Sequence, residues 1–478
     1  MNKNKSKKLI DMISIILYTT LLLISSILIF QSIKLNIIPY KYLIPILIGY
    51  ILFITITFIL IFPKKMKLVF KAFASILCIV GIIASLLGLY YLNNTVNMIN
   101  KIQEANYQLE DYYIVVKKDS KYRTITDLKE SDLAIYKNEI NNYQKSINHV
   151  KDLIKINVKE YNDFILATDA LLESQVDALL ISSGYMSILN EEKENFEKDT
   201  KIIYKMSQKI ENQVEVKEAK VTQESFNVYI SGIDVYGDIK AVSRSDVNLL
   251  MTVNPSNHNI LITSIPRDYY VQLHGTNGYK DKLTHAGIYG IDMSIKTIED
   301  LLEDDINYYI RVNFTTLINI VDLIGGIDVT SDYDFISDSG KYHFTKGVNH
   351  LDGKKALAFS RERKAFETGD RERNQNQQKV LMAIINKALN SKSLILNYNQ
   401  FLTSLSNSFQ TNLDSNIIYS LVNMQLEKMP KWNIETISLD GYDKRDYTYS
   451  YPNRTLYVME PDMNTINLAK EKIKKMKS

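Results

Sequence analysis

The sequence predicts an α/β protein: a mixed central β-sheet flanked by helices on both faces, preceded by a small α/β accessory domain and three transmembrane helices. Two observations carry that reading. Three long runs near the N-terminus are almost free of charge. From residue 226 onward, strand-like and helix-like stretches alternate, a pattern that covers a sheet with helices.

Residues 10–30, 42–62 and 68–92 contain no charge apart from Asp11 and Lys71, and each supplies the roughly 20 residues a helix needs to cross hydrocarbon. The first run has neither the short apolar core nor the small-residue cleavage site of a signal peptide, so it reads as a retained anchor. Lysines set the orientation, because Lys and Arg near helix ends stay cytoplasmic. Lys3, Lys5, Lys7 and Lys8 precede the first run, Lys34 and Lys41 follow it, and the second connection carries Lys64, Lys65 and Lys67, with Lys71 at the start of the third run. A multi-pass membrane protein with a cytoplasmic N-terminus and an extracellular remainder is expected.

The first hundred residues hold ten Lys and one acidic residue, a net +9, so within a formal total of +3 the remainder carries −6. A mildly acidic ectodomain lacks the basic face that neutralises phosphates, so no nucleic-acid partner is expected. The single cysteine, Cys78, lies in the third apolar run. The ectodomain therefore has no disulfide, thiol nucleophile or cysteine metal site.

After a polar stalk at 93–109, residues 110–206 read as the accessory domain, with strands at 112–117 and 131–136, helices at 137–165 and 168–175, and VDALLI at 176–181 as a further strand-like run. A charged stretch, 207–225, reads as a linker. The domain at 226–478 then predicts strands at 226–231, 247–254 and 258–265, a helix at 291–303, a strand at 306–313 and a helix at 314–324 closed by Gly325-Gly326. A strand at 327–330, helices at 352–360, 370–391, 397–409 and 413–428, a strand at 433–438 and a helix from 461 complete it.

Two RER tripeptides, Arg361-Glu362-Arg363 and Arg371-Glu372-Arg373, carry the most chemical information. Arg373 and Gln377 are four apart and share a helix face. Arg361 and Arg363 share a side only where the backbone is extended. Guanidinium groups make paired bonds to phosphate oxygens, so several in one pocket suit a pyrophosphate. A charge run alone is more often a solvated helix face, here neutralised by Glu362, Glu367, Asp370 and Glu372. Asp234 after one strand and Asp246 before the next can sit at adjacent strand ends, and paired carboxylates near phosphate-binding arginines suit Mg²⁺, although loop aspartates are commonly turn formers. Arg267, in Ser264-Ile265-Pro266-Arg267-Asp268, follows a strand whose carboxyl end opens on the crevice where α/β sheets bind ligands. Lys282 lies nearby in sequence. The six histidines show no paired metal-ligand spacing and no GxSxG elbow occurs. His285 reads as a structural hydrogen-bonding residue.

GIDVYG, SRSDVNLLMTV, ILITSIPRDYYV, DKLTHAGIYG, NYYIRVNF, LINIVDLIGGIDV, GVNHLDGKKALAFSRER and GDRERNQNQQKVL, in that order over 226–390, resemble the LytR-CpsA-Psr (LCP) domain. The three apolar runs and accessory region further resemble its capsule-associated streptococcal members. The resemblance implies a Mg²⁺-dependent phosphotransferase (Mn²⁺ as a substitute) that moves a glycan from an undecaprenyl pyrophosphate donor to peptidoglycan through a phosphodiester, with capsular polysaccharide as the expected glycan. It implies Asp234 and Asp246 as metal carboxylates and Arg244, Arg267, Lys282, Arg361, Arg363, Arg373 and Gln377 as the pyrophosphate clamp. Many members carry Arg-Gln where this chain has Asn376-Gln377, so Gln377 alone is carried over.

Asp234 is also the expected base for the attacking hydroxyl, and Asp234, Asp246 and Arg267 form the expected catalytic set. For the polyprenyl tail, Tyr309, Phe314, Leu317, Ile318, Val321 and Ile324 are expected to form part of an apolar slot. Two alternatives share this donor site: a regulatory protein that binds lipid pyrophosphate without turnover, and a pyrophosphatase that uses water as acceptor.

Overall fold

A computed structural model of the chain describes residues 3–35, 38–103, 107–137, 143–193, 195–211, 214, 217–233, 238–367, 369–390, 409–428 and 430–478. They fall into two compact units, Met1–Lys101 with Leu413–Lys431, and Ile102–Asn412 with Trp432–Ser478.

The first unit contains three helices long and apolar enough to cross a membrane, with spans Lys7–Lys34, Tyr40–Ile61 and Leu68–Asn97. Two charges within these spans pair with each other: Lys71 Nζ lies 2.7 Å from Asp11 Oδ1, as charges in hydrocarbon require. Ser14 bonds Ser75 at 2.8 Å and Ser25 bonds Tyr50 at 2.7 Å, tying the helices together through polar groups. The helix Ser415–Lys428, which the sequence placed with the larger sheet, groups with this unit.

In the second unit the accessory region forms a five-stranded sheet. Its order is Asn157–Tyr161, Asp132–Tyr136, Ala178–Ser182, Tyr107–Lys117, Thr200–Glu211. Two expectations change here. The helix read over 137–165 is a shorter helix, Tyr143–Leu153, followed by the edge strand Asn157–Tyr161. The stretch read as the start of a linker continues the strand Thr200–Glu211, which pairs along all of Tyr107–Lys117. The helix expected at 397–409 lies almost wholly outside the described residues.

The larger sheet has six strands in the order Gln410–Thr411, Tyr308–Asn313, Phe226–Ile233, Ser245–Asn254, Asn259–Ile265, Asn433–Ser438. Pairing is parallel between Phe226–Ile233 and Tyr308–Asn313 and between Asn259–Ile265 and Asn433–Ser438, and antiparallel elsewhere, so the sheet is mixed. Helices Ile291–Leu302 and Met463–Lys477 contribute Ile295, Ile298, Ile466 and Ile473 to one core with Tyr229, Leu250 and Leu261 of the sheet. A second core joins Val321, Ile324, Ala356, Phe359 and Val380 from helices Phe314–Leu323, Gly353–Arg361 and Asp370–Asn390 and the residue that closes the first. A Cβ on Gly353 would clash with the Ile318 carbonyl, so the glycine lets two of these helices touch.

The accessory sheet is sewn to the larger one. Leu109 N–H donates to the Lys240 carbonyl at 2.7 Å, Val242 N–H donates to the Leu109 carbonyl at 2.8 Å, and Gln108 Oε1 accepts from Ile291 N–H at 3.0 Å. A hairpin absent from the sequence reading, Gly441–Thr448 with Tyr451–Pro461, adds Tyr451 and Leu456 to the accessory core.

Candidate functional site

The strand Ser245–Asn254 positions the central carboxylate through an irregularity. Gly232 pairs with Val247 and Ile233 with Ser245, so the register skips Asp246. A bulge of this kind bends the strand and re-aims the extra side chain. The backbone of 243–245 is held from behind by the THAGIYG segment. A Cβ on Gly287 would come within 2.6 Å of the Ser243 carbonyl and 2.7 Å of Ser245 N, and Thr284 Oγ1 donates to Asp246 Oδ1 at 3.0 Å.

Arg267, two residues past the end of Asn259–Ile265, meets the same oxygen: its Nη1 lies 2.9 Å from Asp246 Oδ1 and its Nε 3.4 Å from Asp268 Oδ2. Burial alone would raise the Asp246 carboxyl, yet the Arg267, Arg244 and Arg373 guanidiniums hold it well below the usual carboxylate range. Burial lowers the Arg244 guanidinium; Asp246 opposes this, while Arg267 and Arg363 push the same way. Positive charge is thus crowded around one buried carboxylate.

The remaining arginines arrive from two helices. Arg361 ends helix Gly353–Arg361 and Glu362 follows in extended geometry, the condition under which Arg361 and Arg363 face one cavity. The Arg361 guanidinium stacks on Phe314, 4.1 Å from the ring centroid. On helix Asp370–Asn390, Arg373 and Gln377 line the cavity, whereas Arg371 turns away and bonds Asp440 Oδ1 at 2.6 Å and the Gly441 carbonyl at 2.7 Å. A separation of two residues puts them on opposite sides of a helix. The nearby acids bind elsewhere: Glu362 accepts from the backbone N–H groups of Asp338, Arg363 and Ala365, and Glu372 pairs with Lys379 at 3.5 Å.

These groups rim a cavity of about 350 Å³ whose other walls are mostly apolar, with Asn313 and Ser360 among them. Ile230, Ile233, Val247, Leu249 and Val312 come from the sheet, and Val380, Leu381 and Ile384 continue the face begun by Arg373 and Gln377. One helix face therefore passes from cationic to hydrocarbon along its length. Of the expected tail slot, Phe314 and Leu317 line this cavity. Tyr309, Val321 and Ile324 instead pack in the two cores, and Ile318 is absent from the wall, its backbone lying against Gly353. Tyr309, on strand Tyr308–Asn313, and Val321 and Ile324, on or just past helix Phe314–Leu323, face these cores, and the cavity opens between the sheet and the helices that carry Phe314, Arg361 and Arg373.

Lys282 faces a second, adjoining chamber of about 530 Å³ that Arg267 and Arg363 also line. Its Nζ lies 3.2 Å from Asp268 Oδ1, so it contributes to the neighbouring chamber and not to the main cavity. Asp234 lies outside the described residues. His285 is buried, its Nδ1 2.7 Å from Asp281 Oδ1 and 2.8 Å from Ser450 Oγ, a structural cluster that holds the 441–461 hairpin. Sequence reasoning missed Arg311, which is 1% exposed. Its guanidinium donates to the carbonyls of Ile239 at 3.0 Å and Ala241 at 2.8 Å, and burial lowers it to about 10. It braces the loop that leads into Arg244. The only hint was a lone Arg in the otherwise apolar strand INYYIRVN.

Fold and site together define an α/β protein with an arginine-rimmed, amphipathic cavity in a chain that also carries three membrane-length helices. The chain belongs to the LytR_cpsA_psr family, whose profile matches residues 186–472. Over 242 residues it is 34% identical to the polyisoprenyl-teichoic acid–peptidoglycan teichoic acid transferase TagU of Bacillus cereus (strain AH820), covering 50% of this chain and 78% of that one. It is 35% identical to the transferase of the same description, TagT, of Bacillus subtilis (strain 168), over 48% of this chain and 71% of that one. Among solved structures, B. subtilis TagV matches with 31% identity and a TM-score of 0.45, over 53% of this chain and 97% of that one. A second profile, DNA polymerase processivity factor, matches residues 65–181, a stretch that takes in the third apolar helix and stops before the last strand of the accessory sheet.

Proposed function

We propose that this protein is a phosphotransferase that moves a glycan from a polyprenyl pyrophosphate carrier onto a peptidoglycan hydroxyl, leaving a phosphodiester. The observation that carries the reading is the composition of the main cavity: Arg244, Arg267, Arg361, Arg363 and Arg373 line it together with a wall that is mostly hydrocarbon. A ligand with a di-anionic head and a polyprenyl tail matches both. The activities for which TagU and TagT are named support transfer from a polyisoprenyl donor to peptidoglycan.

Phosphoryl transfer requires little covalent help from the protein and mainly needs positioning and charge neutralisation. The acceptor oxygen attacks the phosphorus bearing the glycan, the P–O bond to the terminal polyprenyl phosphate breaks, and the arginines stabilise charge on the oxygens. The hydroxyl proton passes to Asp234 in this reading, which Asp234→Asn tests by loss of turnover.

Among the described residues no group of three or more His, Cys, Asp or Glu side chains could hold a metal ion. Mg²⁺ takes one or two carboxylates and fills its other positions with phosphate oxygens and water. Asp246, kept ionised by its arginines, would be one such carboxylate and Asp234 the other. The ion would supply further neutralisation of the pyrophosphate.

The lysine distribution supports a cytoplasmic N-terminus with the cavity outside the cell, beside both substrates. For the glycan, the layout of three apolar helices plus accessory domain favours capsular polysaccharide, while the relatives' descriptions name teichoic acid. The test supplies lipid-linked glycan, peptidoglycan and Mg²⁺ to the full chain in detergent and looks for a phosphodiester-linked product. Asp246→Ala and Arg267→Ala are expected to lower its rate by about 10² to 10³-fold. Release of free glycan phosphate without linked product would identify a hydrolase, and binding without either product a regulatory protein.

A further inference from the structure

Away from the arginines, a groove of about 700 Å³ opens where the accessory sheet meets the larger domain. Tyrosine dominates it. Tyr136 and Tyr185 come from the accessory region, Tyr270 and Tyr279 flank the segment leading into strand Lys280–Lys282, and Tyr447 and Tyr449 come from the tip of the 441–461 hairpin. The tip is fixed in place: Tyr270 Oη donates to the Tyr447 carbonyl at 2.7 Å, and Tyr449 N–H to the Lys280 carbonyl at 2.9 Å. Tyr279 and Tyr447 are 66% and 56% exposed. Thr448 lines the same groove and is 3% exposed. Its Oγ1 makes no hydrogen bond among the described residues, and a buried hydroxyl in that state calls for a partner.

Charge in the groove is already balanced. Lys280 pairs with Glu460 at 3.1 Å and Asp446 with Lys444 at 2.9 Å. A phosphate would find no guanidinium among its lining residues. What the surface offers is the exposed rings of Tyr279 and Tyr447, beside half-buried Tyr449 and Tyr270, with polar groups at their edges. Pyranose sugars match it, since they present a C–H face to an aromatic ring and hydroxyls to polar groups around it.

We infer that this groove binds a neutral, hydroxyl-rich oligosaccharide. The inference rests on the proposed transfer reaction for its purpose, and the backbone connects the two places. Lys280 lines the groove while Lys282 lines the chamber beside Arg267, and Asp443 lines that chamber while Asp446 and Thr448 line the groove. Two residues along a strand span roughly 6 to 7 Å, about the length of one sugar unit. A glycan with a phosphate at the arginines can therefore run on over the tyrosines. The source is either the donor's glycan or the peptidoglycan strand.

The test measures binding to the full chain in detergent by calorimetry and saturation-transfer NMR. Two probes are used: chitotetraose, for a peptidoglycan strand, and a phosphate-free oligosaccharide released from the producing cell's own surface polysaccharide. At least one is expected to bind, and Tyr279→Ala with Tyr447→Ala is expected to weaken it on the order of tenfold or more. Tyr279→Phe, which keeps the ring, is expected to retain binding, and inorganic pyrophosphate affinity is expected to be unchanged in all variants. Chitotetraose binding assigns the groove to the acceptor, and binding of the surface oligosaccharide to the donor. No saccharide binding at millimolar concentration, or binding untouched by the double substitution, overturns the inference, and the transfer reaction stands or falls separately on its product. Saccharide binding with no linked product keeps the groove and removes the transferase reading.

Discussion

Replacing Asp246 by Asn should move two measurable quantities in opposite directions. The carboxylate lies 2.9 Å from Arg267 Nη1 with 13% of its side chain exposed, so the variant keeps the shape and removes the charge. At a charge separation of about 4 Å and an effective dielectric near 20, the lost attraction is about 4 kcal/mol. Relief of the buried carboxylate's desolvation offsets part of it, leaving a destabilisation of about 2 to 4 kcal/mol at neutral pH. Because the folded-state carboxyl is depressed, its contribution is complete above the unfolded value of about 3.9 and is lost as pH falls through the folded value. Wild type and variant should therefore converge in stability in strong acid. Affinity for inorganic pyrophosphate without metal should rise, on the order of tenfold, since a carboxylate no longer competes for the arginines. Denaturant unfolding across pH, paired with calorimetric pyrophosphate titration in chelator, measures both. A variant as stable as wild type at neutral pH, or one that binds bare pyrophosphate more weakly while folded, would refute the account of Asp246 as the counter-charge of the cluster.

Leu317→Trp fills part of the apolar wall and should weaken a polyprenyl pyrophosphate by about tenfold or more while sparing inorganic pyrophosphate; equal losses for both would show that the tail lies elsewhere. Glu110, buried on the accessory strand, is pushed up to about 7 by burial despite an opposing hydrogen bond with Tyr112. The folded state holds its proton, so stability should fall as pH rises from about 4.5 to about 7, by roughly 3 kcal/mol, and Glu110→Gln should flatten that slope in unfolding measurements. Arg311→Met removes the groups that satisfy the Ile239 and Ala241 carbonyls and should cost about 2 to 4 kcal/mol of stability. It should also raise the donor KM more than it lowers kcat, and unchanged pyrophosphate affinity would show that the loop before Arg244 needs no brace.

The features legible in the sequence are those that short stretches decide. An uncharged run of sufficient length specifies a membrane-length helix whatever surrounds it, and the expected spans differ from Lys7–Lys34, Tyr40–Ile61 and Leu68–Asn97 mainly at their ends. The four-residue spacing of Arg373 and Gln377 put both on one face, because helix pitch is a local property. Segments whose state depends on distant partners were misread. Asn157–Tyr161 is polar enough to pass for helix surface and is a strand because Asp132–Tyr136 offers it an edge. The 441–461 hairpin is held by Asp281, His285 and Asp268, far away in sequence.

Within the site, the sequence by itself determined the residue types: many arginines, few carboxylates, and apolar stretches between them. Tertiary structure alone decided their assignment. It sent Arg371 to Asp440 and Arg373 to the cavity, put Asp246 on a bulge, buried Tyr309, Val321 and Ile324 in cores, and moved Lys282 to the next chamber. It also joined the accessory sheet to the larger domain through Leu109 and the loop before Arg244, building a tyrosine groove from the accessory region, the 270–280 segment and the 441–461 hairpin. The physical reason is the same throughout. Residue type and spacing set which face of an element a side chain occupies, but what lies opposite that face is set by pairing and packing between segments hundreds of residues apart.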